Sequence, residues 1–213
     1  MDCVEKLAVR YPKLRCAVPA LRLLIDETTV CLKAGGTFFV AGNGGSAADS
    51  DHICGELLKG FLSKRPLPEA DKAKFSELFG AEGADMAGKL QGGLRAVSLL
   101  SHPGFCSAFA NDVDADLIYA QQLWALARPG DIFLGISTGG GSKNVKAALM
   151  AAKAIGVESF LLTGNKHGVC EKYADHVVAV DESETYLIQE LHLPLYHAFC
   201  TAVEAEMFGG EIC

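Results

Sequence analysis

Apolar positions along this chain follow two rhythms. Short continuous runs at 37–41, 95–100, 131–136, 158–163 and 177–181 have the length and β-branched or aromatic content of buried strands. Between them, apolar residues recur at helical spacing over 46–61, 114–127, 142–155 and 168–174, and a last helical pattern covers about 184–207. At the N-terminus, Leu21, Leu24, Ile25, Thr28 and Cys31 or Leu32 mark one helical face. That predicts a helical region over 1–34, divided in two by Pro12 and Pro19 and ended by Ala34-Gly35-Gly36. Strands alternating with helices predict an α/β fold, a parallel sheet with helices on both faces. Residues 63–93 interrupt the alternation. Rich in Pro, Lys, Glu, Ala and Gly, they are long for a plain connection and predict one or two short helices of their own.

Two strand ends break into loops of small residues that lead into helical patterns. The first is Gly42-Asn43-Gly44-Gly45-Ser46 and the second is Ser137-Thr138-Gly139-Gly140-Gly141-Ser142. In a parallel sheet, such loops lie with the helix N-termini at the carboxyl edge of the strands, where ligands bind. Glycine lets backbone N–H groups approach an anion, hydroxyls add donors, and the helix dipole favours negative charge. Neither loop continues into the Gly-Lys-Ser/Thr of a nucleotide P-loop, and neither has the spacing of a dinucleotide fingerprint. One such loop is as well explained by a tight turn. Two of them, both carrying hydroxyls, point to a phosphorylated small molecule.

Composition narrows the class. The chain has 213 residues, enough for one α/β domain spanning 1–213, and half of them are hydrophobic. A net charge of −7 argues against a nucleic-acid partner and requires any anion to be held by local donors. The eight cysteines are scattered without a C-x-x-C pair, mostly among aliphatic residues, and read as reduced thiols. No apolar run reaches the length of a membrane span and no signal peptide is visible, so the expectation is a cytoplasmic protein with no membrane partner.

The helices carry the remaining chemistry. His52 and Glu56 are four apart and share a helix face, a spacing equally that of a surface pair. Gln189 and His197 are eight apart on the last helix, roughly 80° around an ideal helix, with Pro194 expected to bend it between them. Imidazole, carboxylate and amide oxygen together can bind a transition metal, and the carboxylate and imidazole can instead exchange protons with a substrate. His102, His167 and His176 sit at turns or strand edges without a constellation, and His192 reads as a core or supporting residue.

These residues carry a resemblance. The stretches 42–56, 110–112, 135–142, 162–164 and 188–192 resemble, in the same order, those of sugar isomerase (SIS) domain proteins, and within them the phosphoheptose isomerases. The resemblance implies a three-layer, flavodoxin-like sandwich with a five-stranded parallel sheet, assembled as a homotetramer. It also implies isomerisation of sedoheptulose 7-phosphate to D-glycero-D-manno-heptose 7-phosphate through a cis-enediol. Glu56 would be the general base and His197 the general acid. Ser137, Thr138 and Ser142 would hold the phosphate, while Asn43, Gly44, Ser46, Asn111, Asp112 and Gln189 would contact the sugar. His52, Glu56, Gln189 and His197 match the positions that hold zinc in some members.

The departures are local. The family's Ser-Thr-Ser-Gly-Asn-Ser phosphate loop is Ser-Thr-Gly-Gly-Gly-Ser here, losing a hydroxyl and an amide at Gly139 and Gly141. Its Asp-Arg-Ile-Gln is Tyr186-Leu187-Ile188-Gln189, and 63–93 is a longer connection than the family's. Other jobs of the same fold stay open at this point. They are a non-catalytic protein binding a replication initiator, a sugar-phosphate sensor, and a lyase acting on phosphorylated amino sugars. Glu56 and His197 argue against the first, and the absence of a basic patch against the second.

Overall fold

The computed structural model describes residues 2–209. Five parallel strands form its centre: β1 (Phe38–Ala41), β2 (Ala96–Ser98), β3 (Ile132–Ile136), β4 (Glu158–Thr163) and β5 (His176–Ala179), in the order β2-β1-β3-β4-β5. The runs read as strands because both their faces are covered. Phe38 and Val40 pack into one apolar layer with Ile132, Leu134, Phe160 and Leu162. Phe39, Ala41, Phe133 and Leu161 pack into the other. The first layer is closed by α1 (Cys3–Arg10), α2 (Val18–Lys33), α3 (Gly45–Leu58) and α8 (Thr185–Phe208). The second is closed by α6 (Ile118–Leu126) and α7 (Lys143–Ile155). The predicted three-layer α/β sandwich is the observed one.

Strand order positions the site. The chain leaves β1 toward β2 at one side and returns to β3 at the other, so the order reverses between β1 and β3, with Ala41 beside Gly135. A crevice opens beyond the carboxyl ends of strands at such a reversal. Both glycine-rich loops emerge there.

Several boundaries differ from the sequence expectation. The N-terminal region is three pieces, α1, a 3-10 turn at Pro12–Ala17, and α2. Pro12 does separate, but Pro19 lies in the first turn of α2, where a missing N–H costs nothing. The 168–174 helix is only a 3-10 turn, Val169–Lys172. The 63–93 segment does hold two short helices, as expected, which together make α4 (Glu69–Lys89) and meet at Gly80, where φ is +58°. A short helix, α5 (Pro103–Phe109), runs into a π turn at Ala110–Asp114 that the pattern did not signal. α8 continues through Pro194. Cys16, Cys31, Cys54, Cys106, Cys170 and Cys200 are free thiols, and Cys213 lies outside the described residues. Among the described residues no helix is long and apolar enough to cross a membrane.

Candidate active site

The two loops are tied to each other. Asn43 and Asn144, at the start of α7, exchange amide hydrogen bonds of 2.9 and 2.8 Å. The Tyr119 hydroxyl donates to the Gly42 carbonyl from below. In the second loop, Ser137 Oγ and Ser142 Oγ lie 2.9 Å apart. Gly140 has φ +62°, and a Cβ there would collide with the His167 carbonyl, so only glycine fits. The spaces at Gly139 and Gly141 are open, so the departures from the family loop remove donors without altering its course. Among the described residues nothing accepts from the backbone N–H groups of Gly141, Lys143 and Asn144. Free N–H groups, paired hydroxyls and a helix N-terminus at one spot form an anion cradle.

Gln189 joins this end of the site. Its amide packs directly over Gly45, at the start of α3, in the space a Cβ would occupy. Ser46 is buried beneath the first loop. Asn111 and Asp112 are different. They are exposed in the π turn and bonded to one another at 2.9 Å, and among the described residues no hydrogen bond joins them to either loop.

Further along α3, His52 and Glu56 meet His197 of α8. His52 Nε2 is 3.3 Å from Glu56 Oε1, and the His52 and His197 rings stand edge to face with centroids 5.1 Å apart. Glu56 is mostly buried, with its other oxygen 2.9 Å from Lys59 Nζ. Sequence reasoning missed Tyr196 and Asp49, which orient this group. The Tyr196 hydroxyl donates to Asp49 Oδ1 at 3.2 Å and lies 3.0 Å from His52 Nδ1. With its only hydrogen given to Asp49, that hydroxyl accepts from His52 Nδ1–H, which fixes the ring with Nε2 toward Glu56. Asp49 stands one turn before His52 and Tyr196 beside His197, a pattern that only the packing of α3 on α8 makes meaningful.

Electrostatics suit proton transfer. Burial lowers the pKa of His197, reinforced by nearby His52 and opposed by Glu56, so its imidazole is neutral at pH 7. Its Nε2 is buried without a hydrogen-bond partner. A cavity of about 430 Å³ between α1 and α8 reaches His197 and is flanked by Lys6 and Arg10. Neither cation has an acidic partner within 4 Å among the described residues, so this opening is locally positive in an acidic protein.

The group also bears on metal binding. Two imidazoles and a carboxylate in one cluster, with His197 Nε2 unpartnered, are ligand types that zinc takes, and His52 has the second-nitrogen hydrogen bond typical of a ligand. Among the described residues, no three His, Cys, Asp or Glu side chains already form a metal-binding group.

Comparison with known proteins gives a consistent result. The SIS domain family matches residues 106–205. The chain is 36% identical to a phosphoheptose isomerase of Crocosphaera subtropica over 83% of this chain and 77% of that protein. It is 32% identical to that of Thiobacillus denitrificans over 99% of this chain and 90% of its relative. The structure of phosphoheptose isomerase GmhA from Neisseria gonorrhoeae superposes with a TM-score of 0.69 at 28% identity, covering 93% of this chain and 98% of that one.

Proposed function

Because the chain belongs to the phosphoheptose isomerase family of SIS-domain proteins, we propose that it interconverts sedoheptulose 7-phosphate and D-glycero-D-manno-heptose 7-phosphate. The observation that carries this reading is the convergence of Glu56 and His197, a carboxylate and a neutral imidazole, beside His52. The phosphate binds at the Ser137–Ser142 loop through Ser137, Thr138 and Ser142 and the free amides. Asn43, Gly44, Ser46 and Gln189 contact the sugar, and Asn111 and Asp112 reach it from the π turn.

Glu56 takes the proton from the hydroxyl-bearing carbon next to the carbonyl, giving a cis-enediol, and returns it to the neighbouring carbon. His197 protonates the ring oxygen on opening and carries protons between the two enediol oxygens. A neutral imidazole has one nitrogen to give and one to take, which both duties need. Tyr196 and Asp49 hold the His52 ring in place through its Nδ1. Zinc would be held by His52, Glu56 and His197 and would supply Lewis-acid polarisation of the carbonyl, while Gln189, expected as a fourth ligand, lies against Gly45 at the other end of α3.

The reading includes a homotetramer with shared sites. Eleven residues separate Gly45 from Glu56, about 16 Å of helix. That span favours a phosphate anchor and a proton-transfer pair contributed to one substrate by different chains. A cytoplasmic location is supported by the free thiols, which persist in a reducing compartment.

The test is a panel of seven-, six- and five-carbon ketose phosphates assayed with and without chelator. The heptulose phosphate is expected to be preferred, with the chelator lowering its turnover. Preference for a shorter sugar overturns the substrate, and indifference to chelator overturns the metal.

A further inference from the structure

One cluster outside the reacting group is both deeply buried and fully satisfied. Arg65, just after α3, and Glu204, on α8, form an ion pair of 2.6 Å with neither side chain exposed to solvent. Glu204 Oε1 also accepts from the Phe61 N–H, and Oε2 from the N–H groups of Leu62 and Ser63, at 2.8 to 3.1 Å. The rest of the guanidinium donates to the carbonyls of Leu57, at 2.8 Å, and of Glu56 itself, at 3.1 Å. Those are carbonyls of the last turn of α3, which lack partners within a helix and carry the negative end of its dipole.

We infer that Arg65 and Glu204 are positioning residues for the isomerisation: together they fix the last turn of α3 to α8, and so fix Glu56 against His197. Two features argue that the pair serves geometry rather than stability. A buried ion pair generally adds little stability over apolar residues of the same size, because both charges must be desolvated. Arg65 also holds φ +43°, a strained backbone for a residue with a side chain, and such strain persists where surroundings enforce it. Glu204 stands seven residues, two turns, beyond His197 on the same helix, so the clamp and the acid share one rigid element. Burial pushes the Glu204 pKa up, but the Phe61 and Leu62 N–H groups and Arg65 outweigh it and keep the group charged.

The long segment after Arg65 hangs from the same clamp. Pro66 bridges Gln91, Gly92 N–H donates to the Arg65 carbonyl, and the Arg65 guanidinium lies over the Phe208 ring at 4.8 Å. The segment thus leaves and re-enters the fold without loosening the turn that carries the base.

The inference rests on the isomerase reading, and two readouts separate the fate of each. In Glu204→Gln and Arg65→Lys proteins, kcat per phosphate-binding site falls on the order of 10²-fold, the cost of misplacing a reacting group by about 1 Å, while KM stays near wild type. Arg65→Lys, which keeps the charge but loses the fork, retains more activity than Arg65→Met. Hydrogen exchange speeds up at residues 54–58 and stays unchanged at 137–142. The exchange readout needs no turnover, so a wild-type chain that isomerises nothing defeats the isomerase reading and leaves this arm to decide the clamp. Variants with a lower melting temperature but wild-type kcat per binding site, or with unchanged exchange at 54–58, overturn the inference.

Discussion

Gly45 and Gly140 are each defined by what a side chain would strike there, the Gln189 amide in one case and the His167 carbonyl in the other. Gly45→Ala is therefore expected to push Gln189 out of the site and weaken sugar-phosphate binding, while leaving Glu56 and His197 undisturbed. A calorimetric affinity equal to wild type contradicts that. The anion cradle gives a second residue-scale prediction. Replacing both Ser137 and Ser142 with alanine removes the paired hydroxyls but not the amides, and roughly tenfold weaker binding of sugar phosphate is expected, the loss of one or two hydrogen bonds. At this scale much was legible, because glycine, serine and histidine at fixed spacing announce their chemistry. Asn144, Tyr119, Tyr196 and Asp49 were not, since each acquires its role only from a partner 76 to 147 residues away in sequence.

Elements were legible in proportion to their burial. The five strands lie within about two residues of the apolar runs because β1, β3 and nearly all of β4 are buried on both faces, which makes their apolar residues run almost continuously. α5 was invisible for the opposite reason: none of its seven residues is buried, so it has no apolar stripe. α4 was foreseen as short helices without bounds, since Gly83 and Ala87 are its sole buried residues. The element-scale prediction concerns α8. His192 is fully buried and desolvation holds its pKa down to about 4, against 6.5 for a free imidazole. Between those values only the unfolded chain takes up the proton, so stability present above pH 6.5 is lost as the pH falls toward 4, on the order of 3 kcal/mol in all. Urea unfolding across that window is expected to show the loss in wild type and a flatter slope in His192→Gln. Equal slopes contradict the assignment.

For the whole molecule, local donors work against a global charge of −7, and the fold concentrates them at the β1/β3 reversal and near His197. Val9 and Val30 are large apolar residues left exposed on α1 and α2, the surface that a tetramer would cover. Light scattering is expected to give the mass of four 22.5 kDa chains, and a monomer at micromolar concentration contradicts the assembly. The layering of a parallel sheet between helices was foreseen from the alternation of strand and helix, whereas the strand order and the packing of α3 on α8 that builds the reacting group were not. That packing is also where the central claim is most exposed. Glu56→Gln keeps the size of the side chain and removes its capacity to accept a proton from carbon. The deciding measurement is turnover of sedoheptulose 7-phosphate by wild type and Glu56→Gln, zinc supplied, with phosphate affinity measured on both. The account predicts aldose formation by wild type, equal affinity, and turnover lower by about 10²- to 10⁴-fold in the variant. Wild type that forms no aldose, or a variant as fast as wild type, contradicts it.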